Sequence, residues 1–135
     1  MNRLFALVVL PLAGCPVSED WRLQSYVDEG EVCVTGGGGT AEFLVTVQEC
    51  MSSSCSRAFA GSCEATFDGA AVTLTSDLSW EDDFTPGAEC TDDCGIPSTT
   101  CTIADLPDGT WDVAFGGQTL TITLPATEPC SPFGS

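Results

Sequence analysis

Apolar and polar residues alternate along most of this chain. The alternation is clearest in three segments, whose apolar members are Phe43, Val45 and Val47, then Val72 and Leu74, then Leu120, Ile122 and Leu124. Because successive side chains of a β-strand point to opposite faces, this period of two predicts strands with one buried face. No segment shows a convincing period of 3.6 residues, so no helix is predicted.

Two turns containing glycine allow the register of two hairpins to be predicted. A two-residue turn at Gly116-Gly117 places the apolar residues of both flanking strands on one face, which a slipped register would prevent. A second two-residue turn is predicted at Asp68-Gly69. The predicted pairs are Phe115 with Gln118, Val113 with Leu120 and Trp111 with Ile122 at the first turn, and Ala65 with Val72 and Cys63 with Leu74 at the second.

Short strands separated by regular turn signals predict the fold class. The segment from Trp21 to Val27 is the first strand region, and the glycine run 36–39 is interpreted as a flexible loop between strands. About seven strands of this kind are typical of an all-β protein. We therefore expect residues 21–135 to form one small antiparallel β-sandwich, immunoglobulin-like and stabilised by disulfides.

The chain contains nine cysteines, which is typical of a disulfide-rich protein from an oxidising compartment. Cys15 belongs to an N-terminal motif considered below, and the remaining eight are an even number. Eight cysteines allow roughly a hundred pairings, and spacing alone does not choose among them. The eight predicted disulfide cysteines are Cys33, Cys50, Cys55, Cys63, Cys90, Cys94, Cys101 and Cys130.

One pairing is favoured, because Cys63 and Cys101 both fall on inward-facing positions of predicted strands. Local loop closure within the close pairs Cys50/Cys55 and Cys90/Cys94 is the alternative for the other cysteines. Zinc binding at Cys90-x3-Cys94 is disfavoured, since the chain has no histidine and an even number of cysteines suits disulfides.

The N-terminal residues resemble a bacterial lipoprotein signal peptide. Asn2-Arg3 is followed by the apolar run 4–12 and by Leu12-Ala13-Gly14-Cys15, which is similar to a lipobox. The resemblance implies that residues 1–14 are cleaved off and that a diacylglycerol group and further acyl chains such as palmitate are attached to Cys15. Residues 15–20 would then be the lipidated cysteine and a short tether. The apolar run is too short for a transmembrane helix; an ordinary secretory signal and a cytosolic strand are the alternatives.

The resemblance also implies a location. Asp directly after the lipidated cysteine is the best-known signal for the inner membrane in this family, and Pro16 stands there instead. We therefore expect the cell envelope and its outer membrane, at the periplasmic face or the cell surface. The chain as a whole is similar to short cysteine-rich lipoproteins of Gram-negative bacteria, a group that implies no activity. This likeness is carried by the lipobox, Ser-Ser-Cys-Ser at 53–56, Cys-Thr-Asp-Asp-Cys-Gly at 90–95 and the closing hairpin 106–124.

The charge of the chain restricts its partners. The formal net charge is −17, with no lysine and no histidine. Cleavage of residues 1–14 would leave two arginines against twenty acidic residues, which is −18 with the amino group acylated. Nucleic acid is excluded as a partner because phosphate binding requires basic residues. Membrane attachment must come from the covalent lipid, and cations or basic partners are the plausible charged ligands.

The missing residue types also argue against an enzyme. Without histidine or lysine, the serines Ser52, Ser53 and Ser54 have no obvious base, and the usual proton shuttle at neutral pH is absent. A small hydrolase that uses paired carboxylates is the remaining enzymatic alternative. We expect no catalytic residues and no cofactor.

Calcium is the one metal ion that the sequence suggests. Glu81 and Glu89 accompany four aspartates around Pro86-Gly87, and hard oxygen ligands on a constrained loop suit this ion. The spacing does not match an EF-hand, and a solvated acidic rim is the alternative interpretation. The weak candidates are Asp82, Asp83, Asp92 and Asp93. The leading hypothesis is therefore a lipid-anchored, non-enzymatic binding or structural module for an unknown protein or glycan, with a calcium-dependent acidic module as the alternative.

Overall fold

Eight β-strands run through residues 21–124 in the computed structural model, which describes residue 14 and residues 18–130 of the chain. The strands are β1 (Trp21–Val27), β2 (Glu31–Gly37), β3 (Gly39–Thr46), β4 (Ser56–Phe67), β5 (Val72–Asp83), β6 (Ser98–Leu106), β7 (Gly109–Phe115) and β8 (Gln118–Leu124). They form two facing sheets crosslinked by disulfides. The predicted fold class, an all-β sandwich of mainly antiparallel strands stabilised by disulfides, is confirmed. Within residues 18–130 no helix has the length and apolarity needed to cross a membrane.

The first sheet is built around β5. Strand β4 pairs with one edge of β5, and the other edge is shared by two strands, β1 along Asp77–Asp83 and β7 at Val72 and Thr73. The β5–β7 pairing is parallel, whereas β1, β4 and β8 pair antiparallel with their neighbours. Strands β1 and β7 therefore run towards each other along one edge of β5.

The second sheet has the order β2-β3-β6 and is antiparallel throughout. Its β6 side is joined to β4 of the first sheet by the Cys63–Cys101 disulfide, whose Cα atoms are 5.2 Å apart. On the β2 side, Gly36 and Ala126 exchange two backbone hydrogen bonds of 2.9 Å. On this side the Cys33–Cys130 disulfide also joins β2 to the segment after β8, so both sides of the sandwich are tied covalently.

The apolar members of the alternating pattern form the core between the sheets. Burying such side chains is the main favourable contribution to folding in a domain of this kind. The polar members of the same strands point outwards, as the pattern predicts. The largest fully buried side chains are Trp80, Phe43, Leu74, Leu78, Leu106, Val45, Val72, Val113 and Pro97.

One predicted hairpin register is confirmed and the other is wrong by two residues. Strands β7 and β8 pair with Phe115 opposite Gln118, as predicted from the Gly116-Gly117 turn. Strands β4 and β5 instead pair Ala65 with Leu74 and Phe67 with Val72. The turn is displaced by one residue because the Asp68 carboxylate accepts hydrogen bonds from the backbone N–H groups of Ala70 and Ala71, at 2.8 and 2.9 Å. A shift of two residues preserves the inward-facing set.

The glycine run is a hairpin rather than a flexible loop. Gly36 and Gly37 belong to β2, Gly39 begins β3, and Gly38 lies in the turn with φ at +67°. The Gly38 N–H donates a 2.8 Å hydrogen bond to Oδ1 of Asp108, which fastens the turn to the loop before β7. The prediction of a loop here is therefore wrong, because glycine tolerates this conformation without ending the strand pairing.

All eight cysteines after Cys15 form disulfides within the described part of the chain. Cys63 bonds Cys101, the pairing that the sequence favours. Cys50 bonds Cys94 and Cys55 bonds Cys90, so neither close pair closes a loop locally. Cys33 bonds Cys130 across 97 residues of sequence. Residues 33–130, which include β3 to β8 and most of β2, thus lie inside one covalent ring, and β1 lies outside it.

Candidate functional site

The loops after β3 (residues 47–55) and after β5 (residues 84–97) are joined at one end of the sandwich, which we call the crosslinked loop end. The disulfides Cys50–Cys94 and Cys55–Cys90 hold them with Cα separations of 4.9 and 5.4 Å. Between the two bridges, Met51 and Gly95 exchange backbone hydrogen bonds of 2.8 Å in both directions. Two irregular segments are therefore fixed relative to each other, as a preorganised binding surface requires.

A group of hydroxyls surrounds Thr91 on this surface. The Thr91 hydroxyl lies 2.9 Å from Oγ of Ser52 and 3.2 Å from Oγ of Ser54. The Thr91 backbone N–H donates to Oγ of Ser54 at 2.9 Å. The serine run thus has a structural partner in the opposite loop, where the sequence identified only a loop without a base.

Asp93 completes this hydroxyl group. Its carboxylate accepts hydrogen bonds from the Thr91 hydroxyl and from the Ser53 backbone N–H, the latter at 3.2 Å to each oxygen. Hydrogen bonds from the Thr91 and Ser53 hydroxyls, with a further one from the Ser53 backbone, lower the pKa of Asp93. A carboxylate with a lowered pKa is a weaker base than an ordinary aspartate.

A shallow pocket of about 240 Å³ lies beside the hydroxyl group. Met51 and Phe59 supply its apolar lining, and Ser52, Arg57 and Asp93 supply polar groups. Phe59 is 46% exposed and follows Ala58, which has φ at +54° in a β-bulge of β4. The bulge interrupts the alternation of the strand and presents Phe59 at the pocket. Sequence reasoning missed Phe59 because an alternating pattern does not indicate a bulge.

Arg57 is held at the rim of this pocket by two contacts. Its Nε donates to Glu81 at 2.8 Å, and its guanidinium carbon lies 3.7 Å from the ring centroid of Trp21. The first contact is an exposed ion pair and the second a cation–π contact, each of modest energy. Together they immobilise the head of a long side chain.

Arg22 has a similar environment at the start of β1. It forms an ion pair of 2.6 Å with Asp20 and lies 4.6 Å from the ring centroid of Phe84. The hydrogen bond from Arg22 lowers the pKa of Asp20. Both arginines within residues 18–130 are therefore paired with carboxylates of their own chain.

The structure does not bring the four calcium candidates together. Asp82 accepts hydrogen bonds from the Ser56 hydroxyl at 2.6 Å and from Nε1 of Trp80 at 3.0 Å. Asp83 follows Asp82 on the same strand, so the two side chains point to opposite faces. Asp93 is bonded as described above. Among residues 14 and 18–130, no group of three potential metal ligands is close enough to hold an ion.

The predicted lipid attachment site, Cys15, lies outside the described residues. The chain that follows it is fixed at Asp20, whose N–H donates to Oγ1 of Thr85 at 2.9 Å and whose carbonyl accepts from the Phe84 N–H at 2.7 Å. The chain therefore enters the sandwich beside the loop 84–97. Searches with this chain against protein-family models, curated proteins and solved structures find no match.

Proposed function

We propose that this chain is a bacterial lipoprotein, anchored at Cys15 in the outer membrane, which acts as a non-enzymatic binding module of the cell envelope. The observation that carries the proposal is the complete pairing of the eight cysteines after Cys15 in four disulfides. Such pairing suits an oxidising compartment and leaves Cys15 as the odd cysteine of nine, as lipidation there requires.

The entry of the chain at Asp20 supports a defined orientation on the membrane. Five residues, 16–20, separate Cys15 from Trp21. Fully extended, they span at most about 18 Å. Because Asp20 is fixed against the loop 84–97, the crosslinked loop end would face the membrane at short range. Its pocket would meet ligands that are close to the bilayer surface.

The pocket favours a glycan as the ligand. Sugar rings combine apolar C–H faces with hydroxyls, and the pocket combines Phe59 and Met51 with the hydroxyl of Ser52 and the carboxylate of Asp93. Its volume of about 240 Å³ is below the range of about 300–1,000 Å³ for drug-sized ligands, so it suits a single sugar unit. The low basicity of Asp93 and the absence of histidine and lysine favour binding over catalysis. The self-paired arginines argue against nucleic acid.

The anchor is tested by the intact mass of the protein extracted from membranes, before and after reduction and thiol alkylation. We expect loss of residues 1–14, a lipid-sized gain on Cys15 and eight thiols that alkylate only after reduction. A Cys15→Ser variant should move to the soluble fraction with its disulfides intact. An unmodified Cys15 in the membrane-extracted protein would overturn the proposal.

The pocket is tested separately by binding to an array of purified bacterial envelope glycans. Phe59→Ala should reduce binding to the retained glycans about tenfold, and Phe59→Tyr should preserve it, because the aromatic ring supplies the stacking surface. Phe84→Ala is the matched control, since Phe84 is equally exposed (47% against 46%) and lies outside the pocket. Equal effects of Phe59→Ala and Phe84→Ala would show that the pocket is not the binding site.

A further inference from the structure

Strand β1 has one edge that no strand of the described chain occupies. Its residues Trp21–Val27 pair with β5 on one side only. Natural sheet edges of this length are usually protected by charge, proline, a bulge or a covering segment, because their unpaired backbone groups attract other strands. The seven residues of β1 contain no proline and no register shift, and their one charged residue, Arg22, is paired with Asp20. The unpaired backbone groups of this edge are therefore open to an extended chain.

The backbone groups that point out of this edge follow from the hydrogen-bond pattern. Phe84 donates to the Asp20 carbonyl, and Asp28 donates to the Ser76 carbonyl. In an antiparallel pair the residues bonded to the neighbour alternate with residues that face away. The even-numbered residues of β1 therefore bond to β5. The N–H and C=O groups that face outwards belong to Trp21, Leu23, Ser25 and Val27.

The side chains of these residues lie on the outer face of the sheet. Leu23 is directly opposite Glu81 and Val27 is directly opposite Asp77. Leu23 is 68% exposed and Val27 is 57% exposed, more than the other large apolar side chains among the described residues. The free edge thus combines unpaired backbone groups with uncovered apolar side chains.

A groove of about 340 Å³ adjoins the Val27 end of this edge. Three carboxylate residues, Asp28, Glu64 and Asp77, are among its lining residues. Neither ion pair of the described chain involves any of them. The charge of the groove therefore favours a cationic group.

The other end of β1 shows how such a group is bound. There Arg57 lies over the ring of Trp21 and pairs with Glu81 of β5, so a basic side chain covers an apolar residue of β1 and reaches a carboxylate of β5. Val27 and Asp77 lie directly opposite each other across β1 and β5, whereas Trp21 and Glu81 are diagonal neighbours. No basic side chain of the described residues lies within ion-pair distance of Asp77.

We propose that the free edge of β1 binds an extended segment of a basic partner protein by strand addition. The main chain of the segment pairs with Leu23, Ser25 and Val27. One of its arginine or lysine side chains covers Val27 and places its charge at Asp77. A second copy of this chain is disfavoured as the occupant by the net charge of −17. The inference does not depend on lipid at Cys15.

The test is titration of the disulfide-bonded protein with an acetylated, amidated seven-residue peptide in which threonine alternates with arginine. Ser25→Pro removes one outward N–H and no bond to β5, so proline is tolerated in the fold at this position. We expect Ser25→Pro to weaken peptide binding at least about tenfold with an unchanged melting temperature. Ser25→Thr, the matched control, should bind as the wild type does. Asp77→Asn should weaken binding about two- to fivefold.

Hydrogen exchange provides a readout that needs no variant. The peptide should slow exchange of the Leu23, Ser25 and Val27 amides in the wild-type protein, and a peptide with central proline should not. Equal affinity for the wild type and a folded Ser25→Pro variant would show that the peptide is held by general charge attraction, which would overturn the proposal. Absence of both peptide binding and amide protection in the wild type would overturn it as well.

Discussion

The Asp28 side chain continues the pairing of β1 with β5 at Ser76, one residue beyond the end of the strand. Its Oδ1 accepts the Ser76 N–H at 2.8 Å, while its own N–H donates to the Ser76 carbonyl at 2.9 Å. Asp28 has φ at +53°, which turns its carbonyl away from β5, and the carboxylate takes the place of that carbonyl. One residue thus ends the strand without leaving the Ser76 N–H unpaired.

Substitutions at Asp28 separate these two roles. Asp28→Ala should lower the free energy of unfolding by about 1–3 kcal/mol, because the Ser76 N–H loses its acceptor and alanine is strained at this φ. Asp28→Asn keeps both an acceptor and tolerance of positive φ, so a change below about 0.5 kcal/mol is expected. Asp28→Gly relieves the strain alone and should fall between them. Chemical denaturation measures the free energy of unfolding of all three variants. An equal loss of stability in Asp28→Asn and Asp28→Ala would show that Asp28 does not act as the acceptor for the Ser76 N–H.

Removing the bridge between the sheets should destabilise the protein. The double substitution Cys63→Ala and Cys101→Ala opens a loop of 38 residues, which the nearby Cys55–Cys90 bridge partly constrains already. We therefore expect a loss of about 3–4 kcal/mol in the free energy of unfolding. Denaturation under non-reducing conditions tests this, with three remaining disulfides verified by mass. A midpoint equal to that of the wild type would show that the bridge does not constrain the unfolded chain.

Tyr26 is the one tyrosine of the chain, so its ionisation can be followed by absorbance. Burial, with the Glu49 charge as the next cause, raises the pKa of Tyr26 above its ordinary value of 10.0. The pKa of Tyr26 is therefore higher in the folded protein than in the unfolded protein. The neutral Tyr26 side chain contributes to stability below pH 10, and this contribution is lost as the pH rises through the folded-state pKa.

Glu49→Gln should bring the Tyr26 titration closer to pH 10 without restoring it fully, because burial is the larger cause. Titration of the unfolded protein in denaturant provides the reference. If Tyr26 ionised at the same pH in the folded and the unfolded protein, the raised pKa of Tyr26 would be contradicted.

Calcium should leave the melting temperature unchanged. The candidate carboxylates Asp82, Asp83 and Asp93 are each engaged in hydrogen bonds and do not converge. A ligand that binds the folded state specifically raises stability by mass action, so melting in calcium is compared with melting in chelator and in equal magnesium. A rise specific to calcium that Asp82→Asn abolishes would restore the calcium-dependent alternative.

The alternation of apolar residues predicts the layers of this fold better than its connections. It identifies the inner faces of β5, β7 and β8 because burial alone decides them. The displaced turn after β4 depends on a side-chain acceptor, Asp68, whose hydrogen bonds compete with the Asp-Gly signal. A run of glycines is typical of a loop because glycine lowers strand propensity, but the tight turn at Gly38 requires the positive φ that glycine adopts.

The candidate site is less predictable because it depends on contacts between distant segments. Cys50 and Cys94 are 44 residues apart, and no local pattern indicates that they meet. The pocket residue Phe59 and the partner of the serine run, Thr91, follow only from that crosslinking. Sequence reasoning identified the inward-facing pair Cys63 and Cys101, where strand alternation itself supplies the geometry.

The covalent ring closed by Cys33 and Cys130 determines how the molecule would respond to mechanical load. A pull on the chain ahead of Asp20 acts first on the hydrogen bonds between β1 and β5, since β1 alone lies outside the ring. Detachment of β1 would release residues 21–32, about 40 Å of extended chain, and then stop at Cys33. The remaining strands would stay crosslinked by the disulfides. Strand β1 would therefore extend under load, while the disulfide ring prevents the rest of the domain from being pulled out to its full length.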